Sequence, residues 1–138
     1  MGNKKEIKLI IADDNITFIE GITLLLQKFE NIEILEICNN GLEVINSKNL
    51  SKADLLILDI QMPKMNGIET AKKINFMFPK LPMIALTMFI ESVYLDEIIS
   101  SGFKGFIYKP EVFKDLKVVI DMVLDGSYVF PSYLKTIE

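Results

Sequence analysis

Short apolar runs alternate along the chain with longer amphipathic stretches. Four runs read as strands buried on both faces: Leu9-Ile10-Ile11-Ala12, Leu55-Leu56-Ile57-Leu58, Met83-Ile84-Ala85-Leu86 and Phe106-Ile107-Tyr108. A strand covered on both sides has no polar face, so its sequence does not alternate. A fifth run, Ile32 to Cys38, is broken by Glu33 and Glu36 and reads as an edge strand. Between the runs, apolar residues recur at helical spacing. Ile19, Ile22, Leu26 and Phe29 form the inward stripe of a first helix, opposite Glu20, Thr23, Gln27 and Lys28, with Asn15 placed to cap its start. A second helix is predicted from about Gly41 to Lys48. A third opens at Asn66-Gly67, carries Ile68, Ala71, Ile74 and Phe78, and stops at Pro79. The fourth covers about Glu91 to Ser101, before Gly102. The fifth spans about Val112 to Asp125 with Phe113, Leu116, Ile120 and Val123 inward, and ends at Gly126.

Five strand–helix units in succession predict an α/β fold, a doubly wound parallel sheet with helices on both faces and right-handed crossovers. The expected form is the flavodoxin-like (βα)5 arrangement with five strands in the order 2-1-3-4-5. In such sheets ligands bind beyond the carboxyl ends of the strands. The residue that follows each run is therefore the place to look for chemistry.

Composition narrows that chemistry. The 138 residues are half hydrophobic, enough for one core, and carry 19 acidic against 15 basic residues for a net charge of −4. Such a chain has no bulk attraction for nucleic acid. Every basic residue is lysine; arginine, histidine and tryptophan are absent. Without histidine there is no Ser-His-Asp or Cys-His nucleophile, and a lone Cys38 cannot complete a zinc site. Without arginine, a phosphate would have to be held by lysine, hydroxyls, backbone amides or a metal. One cysteine excludes a disulfide framework and reads as a small core residue. The charged start, Met1-Gly2-Asn3-Lys4-Lys5-Glu6, precedes too few apolar residues for a signal peptide or membrane span, so a soluble cytoplasmic chain is expected.

The strand ends are polar: Asp13 and Asp14 follow the run ending at Ala12, Asp59 the run ending at Leu58, Thr87 the run ending at Leu86 and Lys109 the run ending at Tyr108. Singly, each has an ordinary reading. Asp13-Asp14-Asn15 could close a strand and favour a helix start, Thr87 could be a β-branched strand residue, and Lys109 a solvated charge. Their convergence on one edge is what those readings leave unexplained. Carboxylates about 5 Å apart at an effective dielectric near 20 repel by roughly 3 kcal/mol per pair before screening, so three of them with one lysine call for a further cation. An oxygen-preferring divalent ion that keeps some waters, magnesium, suits this set. A carboxylate can then act as a nucleophile toward phosphorus, and Asp59, ending the central strand, is the best placed.

These residues resemble, from about Lys8 to Pro131, the receiver domain of two-component response regulators. The resemblance rests on Asp13-Asp14, Leu58-Asp59-Ile60-Gln61-Met62-Pro63-Lys64-Met65-Asn66-Gly67, Ala85-Leu86-Thr87 and Tyr108-Lys109-Pro110, in order and at family spacing. It implies that Asp59 accepts a phosphoryl group from a phosphohistidine on a sensor histidine kinase, a switch that catalyses only its own phosphorylation and dephosphorylation. It also implies Mg2+ held by Asp14, Asp59 and the backbone carbonyl of Gln61, with Asp13 acting through a water. Lys109 would pair with the phosphoryl group and Thr87 would turn its hydroxyl onto it, and the Lys109–Pro110 peptide would be cis. Phe106 occupies the switch-aromatic position, often tyrosine, and without a hydroxyl would work by packing alone. Met88 and Phe89 stand where small or polar residues are common, and are expected to shield the acyl phosphate and lengthen its life.

The segment from Val123 to Pro131 resembles the end of receivers followed by a LuxR/NarL-type helix-turn-helix output domain. A receiver over 1–126 and a segment 127–138 leading toward an output domain are therefore expected, with no nucleic-acid contact by this chain itself. A stand-alone receiver acting through protein contacts is the alternative. Val118 and Met122, opposite the inward face of the fifth helix, are candidates for a homodimer face that phosphorylation strengthens. Two rivals fit less well. An aspartyl-nucleophile phosphatase would want Asp-x-Asp where Asp59-Ile60-Gln61 stands, and a flavin-binding module would want a glycine- and hydroxyl-rich loop where Asp13-Asp14-Asn15 stands.

Overall fold

Five strands, β1 (Ile7–Ala12), β2 (Ile32–Cys38), β3 (Leu55–Asp59), β4 (Met83–Thr87) and β5 (Gly105–Tyr108), pair in parallel in the order β2-β1-β3-β4-β5. The structure, a computed structural model, describes residues 5–88 and 90–130. Five helices connect and flank the strands: α1 (Ile16–Leu26), α2 (Gly41–Ile45), α3 (Gly67–Met77), α4 (Ser92–Ser100) and α5 (Val112–Leu124). This is the doubly wound arrangement the strand and helix periods predict.

The sheet divides the core in two. Leu9, Ile11, Leu55, Ile57, Ile84, Leu86 and Ile107 pack with α1 and α5 residues such as Ile22, Leu26, Leu116 and Ile120. Their strand neighbours Ile10, Ala12, Leu56, Leu58, Met83, Ala85 and Phe106 pack on the other face with Val44, Ala71, Ile74, Leu95 and Ile98. The strand period of two sends alternate residues to opposite faces, and both faces are apolar because both are covered. Cys38 is fully buried in the second layer, and burial, with Glu36 and Glu43 nearby, pushes its thiol up to about 12. It is a core residue, as expected, and an inert one.

Helix ends follow their caps. The Asn15 side chain accepts from the Phe18 N–H, and Asn66 and Glu69 form a reciprocal capping box at the start of α3. Three details differ from the sequence reading. Helix α1 ends at Leu26, and Phe29 lies in the following turn, half-buried. Helix α2 ends at Ile45 rather than Lys48, because Ser47 and Asn49 donate their side-chain hydrogens to the Glu36 carboxylate and leave the helical path. On α5 the buried stripe is Val112, Leu116, Val119, Ile120 and Val123, whereas Phe113 is 61% exposed. Phe113 stands at the margin of this stripe, and Val112 leads it. The Phe113 ring instead covers Gly21 of α1, where a β-carbon would stand 3.0 Å from it.

Beyond α5 the chain returns to the sheet. Val129 bridges Gly105, its N–H donating to the Lys104 carbonyl at 2.9 Å and its carbonyl accepting from the Phe106 N–H at 3.0 Å. Val129 thus pairs with the free edge of β5. Residues 131–138, the rest of the expected linker segment, lie outside the described residues. No helix among the described residues is long and apolar enough to cross a membrane.

Candidate functional site

At the carboxyl edge of the sheet, Asp13 follows β1, Asp59 and Thr87 end β3 and β4, and Lys109 follows β5. The pairings Ala12 with Leu58, Asp59 with Leu86 and Thr87 with Tyr108 set these positions side by side. Lys109 Nζ lies 2.7 Å from Asp13 Oδ2 and 3.2 Å from Asp59 Oδ2. Both contacts are ion pairs, the Asp13 one the shorter. The other Asp13 oxygen accepts from the Asn15 N–H at 2.9 Å, so the residue that caps α1 is itself anchored by the site. Asp59 Oδ1 lies 3.4 Å from the Gln61 N–H, a long contact.

Asp13 and Asp59 are buried, and Asp14 is exposed. One carboxylate oxygen from each of the three falls within 4.8 Å of the others. Burial pushes the Asp59 carboxyl up to about 6, the Asp13 charge pushes in the same direction, and Lys109 and the Gln61 N–H offset only part of it. The balance of three acids and one ammonium is two negative charges. The donors are all oxygen, and exposed Asp14 leaves a side open to water. That combination fits a hard divalent cation that keeps several waters, and lacks the sulfur or nitrogen that zinc would take.

Thr87 and Phe106 are buried, at 2% and 7% exposure, on adjacent strands. Met88, the residue after Thr87, is 55% exposed, so its side chain sits at the rim. Phe89 lies outside the described residues. Gln61 is exposed, at the edge of an open groove of about 770 Å3 that Asp14, Met62, Asn66, Tyr94 and Glu97 also line.

The expected cis Lys109–Pro110 peptide is corrected by the structure: among the described residues no peptide bond is cis. Lys109, Pro110 and Glu111 form a 3-10 turn leading into α5, in which the Val112 N–H donates to the Lys109 carbonyl. Proline at the first turn of a helix takes the trans form without strain, and trans is intrinsically favoured by about 0.5–1 kcal/mol. Val118 and Met122 are not brought to this edge. They lie on the outer face of α5, 58% and 42% exposed.

Sequence reasoning missed Phe18, whose ring lies 4.5 Å from Lys109 Nζ. An aromatic face beneath an ammonium attracts it and limits where the side chain can point. Its one signal in the sequence is its place in the first turn of α1, which opens at the carboxyl edge.

The family model for the response regulator receiver domain matches residues 9–121. The chain is 30% identical over 128 residues to the transcriptional regulatory protein LnrK of Bacillus subtilis, covering 93% of this chain and 58% of that protein. It is 31% identical over 130 residues to the oxygen regulatory protein NreC of Staphylococcus epidermidis, covering 94% and 60%. It thus spans a little under two thirds of the length of these relatives. Among solved structures it is similar to the isolated receiver domain of RcsB from Salmonella enterica serovar Typhimurium in the apo form, with a TM-score of 0.84 and 28% identity over 96% of this chain and 98% of that one. The same RcsB domain has been solved in the presence of the phosphomimetic BeF3−, at a TM-score of 0.83.

Proposed function

The chain belongs to the response regulator receiver family, and from that premise we propose that it is a signalling switch that takes a phosphoryl group onto Asp59 from a phosphohistidine of a sensor kinase. The observation that carries the assignment to Asp59 is its place: it ends the central strand, 3.2 Å from Lys109, with its carboxyl pushed up to about 6. A carboxylate more basic than usual is a better nucleophile, and at neutral pH it is still ionised.

In the transfer, one Asp59 oxygen attacks phosphorus as the bond from phosphorus to the donor's imidazole nitrogen breaks in line, and the imidazole leaves with the bonding pair. Lys109, already paired with Asp59, takes one phosphoryl oxygen, and the Thr87 hydroxyl donates to another. Asp14, Asp59 and the Gln61 carbonyl would hold Mg2+, with Asp13 reaching it through water. A bound magnesium supplies Lewis-acid neutralisation of the phosphoryl oxygens. Phe106 carries the consequence inward by packing alone, and Met88 with Phe89 shields the acyl phosphate from water.

The relatives' roles in regulation support a receiver of the LuxR/NarL type that acts in the cytoplasm through a DNA-binding output domain, with residues 1–126 as the switch and 127–138 leading toward that output. Val118 and Met122 form its activation-dependent dimer face. The chain in this reading modifies only itself.

The test is intact mass after incubation with acetyl phosphate and magnesium. Wild type gains one phosphoryl group and Asp59→Ala gains none; an unmodified wild type, or an equally modified variant, overturns the assignment.

A further inference from the structure

The acid cluster has two walls: the end of β1, which carries Asp13 and Asp14, and the loop from β3 to α3, which carries Gln61. One tight turn, residues 38–41, touches both. The Asp13 N–H donates to the Cys38 carbonyl at 3.0 Å, and the Gly41 N–H donates to the Met65 carbonyl, also at 3.0 Å. The turn is stiff. The side-chain oxygen of buried Asn40 accepts from the Glu43 N–H at 2.9 Å, and the Glu43 carboxylate accepts from the Asn39 N–H at 2.8 Å.

On the other side, the loop is tied at two points. The Gly67 N–H donates to the Ile60 carbonyl at 2.9 Å and closes its base. Near its tip Lys64 takes a left-handed φ of 69°, which turns the chain so that the Met65 carbonyl faces Gly41. Gly41 leaves no slack in this tie. A β-carbon there would collide with Thr70 Oγ1 and stand 2.6 Å from the Met65 carbonyl oxygen and 2.8 Å from Met65 Cγ. Thr70 cannot easily yield, since its hydroxyl donates to the Asn66 carbonyl at 2.7 Å and it is fully buried.

We propose that Gly41 is a positioning residue for the cation site. Its N–H and bare α-carbon hold the loop that carries Gln61 at a set distance from Asp13 and Asp14, through a turn bonded to both walls. The proposal rests on the magnesium reading given above. Gly41 has no chemistry of its own and touches none of the acids, so its effect is on the spacing of ligands. Groups that orient metal ligands in this indirect way commonly change affinity by 10-fold or more when altered.

Close packing of α2 on α3 would by itself make Gly41→Ala destabilising, so stability cannot be the readout. The discriminating measurement is magnesium affinity by titration calorimetry on the full chain. Gly105→Ala is the control, a crowded glycine at the opposite end of the sheet where a β-carbon would meet Val123 Cγ2 at 2.8 Å. Gly41→Ala is expected to weaken magnesium binding about 10-fold, while Gly105→Ala, though strained, leaves it unchanged. Equal affinity in wild type and Gly41→Ala overturns the proposal, and so does an equal loss in Gly105→Ala. A wild type that binds no magnesium refutes the reading of the acid cluster itself. Should Gly41→Ala fail to fold, hydrogen exchange at the wild-type Gly41 amide decides the matter: magnesium should slow it several-fold, and an unchanged rate overturns the proposal.

Discussion

Lys109 is held chiefly by Asp13: its ammonium nitrogen lies 2.7 Å from Asp13 Oδ2, against 3.2 Å from the Asp59 oxygen it also reaches. Before any phosphoryl group arrives, the cation is therefore shared in favour of the acid that does not react. Asp13 also pushes the Asp59 carboxyl up by charge repulsion. Replacing it with asparagine should act twice in one direction, removing the repulsion and releasing Lys109 toward Asp59. Carbon-detected NMR titration of Asp59 in metal-free Asp13→Asn is expected to give a pKa well below the wild-type value of about 6. An unchanged or higher value would show that burial alone sets it.

The raised Asp59 carboxyl also makes stability depend on pH. An acid whose folded pKa lies above its unfolded one binds more protons folded than unfolded between the two values, so stability falls as pH rises through that window. For Asp59 the window runs from 3.8 to about 6. Metal-free wild type should lose on the order of 3 kcal/mol across it from this residue. In urea denaturation with chelator, Asp59→Asn should be more stable than wild type at pH 7, with the gap closing near pH 4. Magnesium should raise the wild-type midpoint at pH 7 and have little effect at pH 4.5. A variant no more stable than wild type at pH 7 contradicts the burial argument.

The facing of α5 predicts a contrast between two neighbouring turns. Leu116 is fully buried and Phe113 largely exposed. Leu116→Ala should destabilise by about 2–5 kcal/mol, and Phe113→Ala, at a largely exposed side chain, by about 1 kcal/mol or less. Equal losses in denaturant titrations would return Phe113 to the core.

Val118 and Met122 lie one helical turn apart and both exposed on α5. If they form a dimer face, light scattering should show the mass of wild type rising with beryllium fluoride and magnesium, and Val118→Lys should stay monomeric. A shift that survives the lysine rules that face out.

For the lifetime of the acyl phosphate, Phe89→Glu should speed autodephosphorylation followed by mass spectrometry, because a carboxylate can orient water where an aromatic ring excludes it. A rate unchanged or slower in the variant removes Met88 and Phe89 from that role.

The strands and the reactive edge were legible in the sequence because both are short-range properties. A run such as Leu55-Leu56-Ile57-Leu58 shows two-sided burial without reference to its neighbours, and Asp59 is at the strand end because it is the next residue. The caps at Asn15 and Asn66 are equally local. Helix facing was half legible: Leu116, Ile120 and Val123 follow the period, but whether Val112 or Phe113 leads the stripe depends on where α1 lies.

What the tertiary structure alone decided concerns distances between residues far apart in the chain. That Lys109 rests on Phe18 and favours Asp13, that Pro110 enters α5 through a trans bond, and that Gly41 meets Met65 all arise where separate connections converge. Hydrophobic period and strand ends determine which residues reach the edge of the sheet. The packing of loops on one another sets the ångström spacings there, and with them the basicity of Asp59, since charge interactions depend on separation and burial rather than on order in the chain.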